Sequence, residues 1–391
     1  MRQEEYSTLA AKLSEVADPC GKQGQRYEWP YLLVIIVAAL MAGERSVRGM
    51  AQWAAQQGQP LVSALQPKWK QLPSAATLHR ALQAVEIGQL ERCVAGFVMG
   101  LDGEDVVPGS VLTTRGERLR GQAVDGKTVK GASGHGETVH LVSVVRHESG
   151  AVLAQEKVAV KLDERRVART LLADLPLAQT VTTMDALHTQ VNLAQQLLNA
   201  GGHYLMVVKG NQPTLATEIA LGFHELPPLT PTIAQWWGYQ VVQTTAKAHG
   251  RLERRTLESI TALNDYLRWP AVAQVLRRTC WTKECTTGQL TQEVHYGLTS
   301  LPRSLVSLAQ VEQFWRWHWT IENRLHYVRD VSMGEDASQV RKGNAPQALA
   351  ALRNAVLSLL RLEGWSLIPD AFRFFAHNVH KSLHLIGAFA S

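Results

Sequence analysis

Cysteine is scarce in this chain. Four cysteines, at positions 20, 93, 280 and 285, are spread over 391 residues. That is too few and too scattered for a disulfide scaffold, so a reducing, cytoplasmic setting is expected. Cys280 and Cys285 have no second Cys or Cys-His pair to complete four ligands, which argues against a structural zinc. Charge is thin as well: charged residues make up 19% of the chain, with no long Lys/Arg tail. The net charge of +6 and a pI near 9.2 lean only weakly toward an anionic partner. No apolar run reaches membrane length. The longest, Tyr31 to Met41, is about half of the roughly 20 residues a bilayer span needs, and no small-residue cleavage pattern follows a basic start. It reads as a buried helix, and no membrane partner is expected. Internal repeats, low-complexity segments, a P-loop, a dinucleotide fingerprint and a nucleophile elbow are all missing, which removes their chemistries from consideration.

What is present is organised around Gly121 to Gly131, GQAVDGKTVKG. The apolar pair Ala123-Val124 ends on one carboxylate, Asp125, and a strand that stops on a lone Asp is a candidate metal-ligand strand. A Gly-rich turn (Gly131, Gly134, Gly136) leads to apolar runs at Val139 to Val145 and Val152 to Val158, a three-strand antiparallel meander. The period then switches. A helix over Glu164 to Leu175 precedes a strand, Val181 to Met184, that also stops on a carboxylate, Asp185. A helix from Gln190 to Asn199 and a strand from Tyr204 to Val208 complete the order β-β-β-α-β-α-β.

The length suggests two or three domains. Residues 1 to about 100 read as all-helical. Ser46 is the expected N-cap of a helix from Val47 to Ala55, and Pro73-Ser74 opens another from Ala75 to Val85 that carries Thr77, His79 and Arg80. This pair suits either a helix-turn-helix laid against DNA or a small bundle that covers the core, and these residues weigh the two equally. Residues between Leu101 and Gly121 turn to Gly, Asp, Glu and Pro, a linker. From Gln235 to Leu301 the pattern alternates like strands, a largely β insertion. Its most charged piece, HGRLERR (His249 to Arg255), places Arg251, Glu253 and Arg255 on one face of an extended strand. That face suits a phosphate backbone or, as a solvated edge, protection against aggregation.

The helix after the insertion, Val311 to about Arg329, is the second informative stretch. At 100° per residue, Trp315, His318, Glu322, His326 and Arg329 share one stripe. An ordinary amphipathic helix would not gather these types on either its buried or its exposed side. A Glu flanked by His and Arg, docked beside two aspartates, is what a two-metal phosphoryl-transfer site needs, and hard oxygen ligands suit Mg²⁺, with Mn²⁺ able to substitute.

The segments DGKTVKG around Asp125, TMDALHTQ around Asp185, YLMVVKGNQPTL from Tyr204, HGRLERR, and HWTIENRLHYVRDVSMGEDASQVRKGNAP from His318 resemble the insertion-sequence DDE transposases of the H-repeat-associated group. The resemblance runs from about residue 18 to residue 362, with the motifs in the family's order. It implies an α/β fold with a ribonuclease H-like core, a mixed five-stranded sheet flanked by helices, together with a β-rich insertion and an all-helical N-terminal domain. The corresponding boundaries are 1–115 for the helical domain, 116–222 and 303–365 for the two parts of the core, 223–302 for the insertion and 366–391 for a helical tail assigned to packing. By motif match, Asp125, Asp185 and Glu322 take the places of the catalytic Asp, Asp and Glu and hold two Mg²⁺ ions. The wider superfamily's Tyr-Arg-Glu-Lys signature aligns with Trp315, His318, Glu322 and Arg329, a departure in three of four positions. It leaves Arg316, Arg329, Arg341 and Lys342 as candidates to hold the terminal phosphate.

The resemblance implies an enzyme that cuts element ends and joins their 3′ hydroxyls to target DNA, acting as a homo-oligomer on paired terminal inverted repeats, in the cytoplasm or nucleoid. Lys127, Lys209, Arg251, Arg255, Arg316, His318, Arg329, Arg341, Lys342, His79 and Arg80 are the expected DNA contacts, with Arg45 and Arg48 on phosphates. Two alternatives share the pattern: a metal-dependent nuclease that cuts without joining, and a catalytically silent DNA-binding derivative.

Overall fold

The segment Trp29–Met41 is apolar on every side, so it folds as a helix with no polar face and is buried almost throughout. In the computed structural model, residues 7–21, 26–103, 110–134, 137–159, 164–248 and 250–388 are described. His249, Gly136 and linker positions 104–109 of the sequence reading lie outside them. The helix is α2, preceded by α1 (Leu9–Ser14) and followed by α3 (Val47–Leu65), α4 (Ala75–Ala84) and α5 (Ile87–Leu101). The Ser46 side chain accepts from Gly49 N and the Ser74 side chain from Thr77 N, the two caps the sequence proposes. α3 runs ten residues past its expected end at Ala55, kinked where Gly58 takes φ 56° ahead of Pro60. The connection from α3 to α4, Gln66 to Ser74, is longer than the three- or four-residue turn of a compact helix-turn-helix. Among the described residues no helix is long and apolar enough to cross a membrane.

Strands β1 (Val111–Leu112), β2 (Arg118–Gly134), β3 (Glu137–Arg146) and β4 (Val152–Val158) come next. They are followed by α6 (Glu164–Ala173), β5 (Thr180–Met184), α7 (Val191–Asn199) and β6 (His203–Val208). This is the anticipated order, with the small β1 added in front. α8 (Pro213–His224) and α9 (Pro231–Trp237) then lead into β7 (Gln240–Ala248), β8 (Arg251–Ile260), β9 (Gln274–Glu284) and β10 (Leu290–Thr299).

The chain divides into two compact units, one of Met1–Val107, Gly126–Val167 and Thr320–Ser391, the other of Pro108–Asp125 and Ala168–Trp319. Among the described registers, those joining β1 and β5 to β2, β5 to β6, and β6 through β10 to β7 lie in the second unit, and that of β3 with β4 lies in the first. In the second unit, β2 up to Val124 runs parallel to β5, and β5 runs parallel to β6. β10 adds antiparallel to β6, then β9, β8 and β7 follow in antiparallel order. In the first unit, the rest of β2 neighbours β3, which pairs antiparallel with β4. The order β4-β3-β2-β5-β6, three antiparallel strands and two parallel ones with intervening helices, is the ribonuclease H-like core. The strands of the insertion extend the edge of the same sheet, and β10 pairs with backbone groups that β6 would otherwise leave open.

α10 (Leu308–Trp317) begins at a capping box in which Ser307 and Gln310 satisfy each other's backbone. Its apolar side, Val311, Phe314 and Trp315, joins Leu257, Leu276 and Leu205 in the core of the second unit. Two π-helical segments follow, Ile321–His326 and Val328–Ser332. In the first unit, α11 (Ala345–Leu362) is buried from Ala345 to Leu360. α12 (Ile368–His377) and α13 (Val379–Ile386) bury Phe372, Phe375 and Leu383, in keeping with a packing role for the tail.

Candidate active site

In the second unit, the parallel register Ala123↔Thr183, Val124↔Met184 ends one residue short of each aspartate. Asp125 and Asp185 therefore leave two adjacent strands side by side, with neighbouring strands roughly 4.8 Å apart. Asp125 is not a strand terminus, as the sequence suggested. β2 continues to Gly134, and what ends after Val124 is its ladder with β5. Asp185 does end its strand, capping the turn Ala186–His188 by accepting from His188 N at 3.3 Å. Two carboxylates set at one register position repel each other unless a cation stands between them. A hard divalent ion with oxygen ligands fits this donor set.

His318 packs beside this pair. Its Nδ1 lies 3.1 Å from Thr183 Oγ1, and that hydroxyl donates to Gln122 O at 3.2 Å. The hydroxyl's lone pair then takes the ring's Nδ1–H, which leaves Nε2 as the acceptor. Desolvation pushes the His318 pKa down to about 4 against the pull of Asp185, with Lys209 among the smaller influences. The ring is neutral at pH 7, so a contact it makes with DNA is a hydrogen bond and not an ion pair.

The first unit holds Glu322. Its carboxylate is exposed and meets His326 Nδ1 at 3.0 Å, and this hydrogen bond holds it below the usual carboxylate range. The surrounding motif residues are mostly buried. Gly126 has no side chain because a Cβ there would meet Glu164 Oε1 at 2.3 Å and His140 Nε2 at 2.8 Å. Lys127 is 9% exposed, and its Nζ donates to both oxygens of Asp330, at 2.6 Å to Oδ1. Arg329 is fully buried. Its Nε and Nη2 donate to Glu335 at 2.9 and 2.8 Å, and its Nη1 donates to Gln155 at 3.0 Å. Arg353 donates to the same Glu335 from α11 at 3.3 Å. Burial pushes the Glu335 carboxyl up, but the two guanidinium groups outweigh it and hold the carboxyl below its ordinary range.

The same contacts bear on two expected DNA contacts: Lys127 is engaged by the half-buried carboxylate of Asp330, and Arg329 by the buried carboxylate of Glu335. They also dissolve the single helical stripe. Trp315, His326 and Arg329 are buried and Glu322 is exposed, because the α-helix gives way to π geometry between His318 and Ile321. Arg255 is half-buried against Glu253, with desolvation lowering its pKa, whereas Arg251 is exposed. Lys209, Arg316, Arg341, Lys342, Arg80, Arg45 and Arg48 are exposed, and His79 is half-buried. The sequence reading missed Asp330, Glu335 and Arg353. The available signal was a pair of polar residues, Arg353 and Asn354, inside the apolar run of α11.

The model of the Transposase DDE domain matches residues 116–359, and that of the DDE_Tnp_1-associated domain matches residues 10–98. The chain belongs to the DDE transposase family. Among relatives of this DDE transposase, YncI of Escherichia coli O157:H7 is 30% identical over 248 residues, 61% of each chain. The H repeat-associated YhhI of E. coli K12 is 28% identical over 251 residues, 61% of this chain and 63% of its own. Both carry provisional transposase names, and the chain spans about three fifths of the length of the relatives it matches. A solved structure, the piggyBac transposase synaptic complex with hairpin DNA, overlaps 97% of this chain and 77% of its own at a TM-score of 0.46 and 11% identity.

Proposed function

We propose that this DDE transposase cleaves the ends of an insertion sequence and joins the freed 3′ hydroxyls to target DNA, with Asp125, Asp185 and Glu322 as the carboxylates that hold two Mg²⁺ ions. The observation that carries the reading is the register of β2 on β5, which sets Asp125 and Asp185 side by side. Glu322 is assigned as the third carboxylate on two grounds: its motif context and its position on the chain, three residues beyond Trp319 on the run that continues α10. When bound, paired divalent ions lower the pKa of the attacking water or hydroxyl and neutralise charge on the leaving oxygen.

The chain's own residues do the rest. Asp185 is fixed by its bond from His188 N, so its free oxygen has a set direction. Glu322 is kept ionised by His326 and needs no proton removed before it acts as a ligand. Neutral His318, bonded to Thr183 two residues before Asp185, adds no competing cation beside that carboxylate. The helical segment that includes α4 reads the terminal repeats, since a two-metal site contacts phosphodiesters and supplies no base-edge readout. Exposed Arg80 is its candidate base contact, and exposed Arg45 and Arg48 are placed on phosphates. The working form is a homo-oligomer on paired ends.

The test is a reaction of the full chain with an element-end duplex and a supercoiled target in Mg²⁺ or Mn²⁺. Cut ends covalently joined to the target are the expected product. Cut ends that are never joined assign the protein to the nucleases.

A further inference from the structure

The outer part of the sheet in the second unit carries a face used by none of the residues discussed so far. Register sets Lys247 of β7 opposite Leu252 of β8, Leu252 opposite Lys283 of β9, and Lys283 opposite Leu290 of β10. Two residues inward, Arg254 of β8 stands opposite Trp281 of β9. Paired residues, and residues two apart on one strand, project from the same side of a sheet, so all of these share one face. Lys247, Leu252, Arg254, Lys283 and Leu290 are exposed there.

The face is cationic without compensation. Glu253, Glu284 and Glu293 fall one residue out of phase and project from the opposite side. Glu258, farther in on the same face, is taken by Arg277 at 2.6 Å. Lys247, Arg254 and Lys283 make no side-chain hydrogen bond or ion pair among the described residues. At the inner end the face is covered, with Phe223 of α8 stacked on Tyr296 at 6.4 Å and under Arg277 at 4.9 Å. That cover stops before the three cations. Protection of a sheet edge accounts for Lys247 on the edge strand β7 but not for Arg254 and Lys283, which lie on β8 and β9 with strands on both sides.

We propose that this face binds the phosphate backbone of duplex DNA, an inference that rests on the function proposed above. Lys247 and Lys283 stand two strands apart, roughly 10 Å, with Arg254 between them. That span equals about three nucleotide rises of 3.4 Å along the axis of a duplex. Trp281 is half-buried between its neighbours and offers no open ring for a base to stack on. Recognition is therefore by charge, and duplex DNA carries the denser charge.

The test uses the full chain in EDTA and a short duplex of arbitrary sequence, with affinity measured from about 50 to 200 mM salt. Each lost contact lowers the slope of log K against log salt by about 0.9 for a duplex. The triple variant Lys247→Ala, Arg254→Ala, Lys283→Ala is expected to lose about 2 to 3 from that slope and at least tenfold in affinity at the lowest salt. The swap Lys247→Arg, Arg254→Lys, Lys283→Arg is expected to keep both. An unchanged slope in a triple-alanine variant with wild-type circular dichroism overturns the proposal. So does a loss confined to single-stranded DNA of the same length, or a change of oligomeric state in sedimentation with the slope intact, which assigns the face to a second copy of the chain. Cleavage is scored separately on the wild-type protein in Mg²⁺. If the slope falls as expected but no DNA is cut, the face stands and the proposed function fails.

Discussion

Glu91 shows how one half-buried carboxylate writes itself into the pH response. Desolvation pushes its pKa up to about 7, although Gln347 and Gln155 both donate to it at 3.0 Å. A carboxyl whose folded pKa exceeds its unfolded value of about 4.3 adds stability below that value, and this is lost as pH rises through the folded pKa. Glu91→Gln keeps an oxygen that can accept from both glutamines and removes the titration. Melting curves are expected to coincide near pH 4 and to favour the variant by on the order of 2 to 3 kcal/mol at pH 8. A variant that gains nothing at pH 8 contradicts the assignment. Arg329 poses the opposite case, since it sits in the position of the signature Lys yet is spent on Glu335. Arg329→Ala strands a buried carboxylate and is expected to cost about 3 to 5 kcal/mol in denaturant unfolding. A loss below about 1 kcal/mol, the range of exposed pairs, would place Arg329 at the surface. Neither residue's environment was legible in the sequence, because Arg and Glu are ordinarily exposed and only a tertiary partner reverses that.

Among elements, the strands and helices of the core were legible because their periods switch cleanly at Glu164, Val181 and Gln190. The run after α10 was not. A stripe drawn at 100° per residue assumes α geometry, and the chain turns to π geometry within that stripe, so residues seven apart no longer share a face. The motif glycines were legible as turn signals, but for the wrong reason. Gly131 lies within β2, where a Cβ would come 2.5 Å from Glu335 O and 2.6 Å from Ser338 O. Backbone cannot step aside as a side chain can, so Gly131→Ala is expected to cost about 1 to 3 kcal/mol by overpacking. Gly96→Ala, in α5 with nothing within 4 Å, is expected to be neutral or to gain up to about 1 kcal/mol. Equal melting shifts for the two variants would remove the close approach as the reason for glycine at 131.

For the whole molecule, the family and the ribonuclease H-like order were both readable from motifs spread between residues 121 and 346. Hidden from the sequence was the way the insertion is used. Alternating strands announce a β segment but not the edge to which it pairs, and β10 joins β6 through backbone groups that every sequence shares. The same limit applies to the carboxylates. Asp125 and Asp185 were singled out by the strands that lead into them, and their juxtaposition follows from a parallel register that spacing alone does not set. The most direct measurement is Mg²⁺-dependent cleavage of an element-end duplex by the wild-type chain and by Asp125→Asn, Asp185→Asn and Glu322→Gln, with end binding measured in parallel. Cleavage is expected to fall by at least a thousandfold in each variant while specific end binding stays within about threefold of wild type. Wild-type cleavage by any one of the three, with the metal requirement intact, would remove that carboxylate from the site.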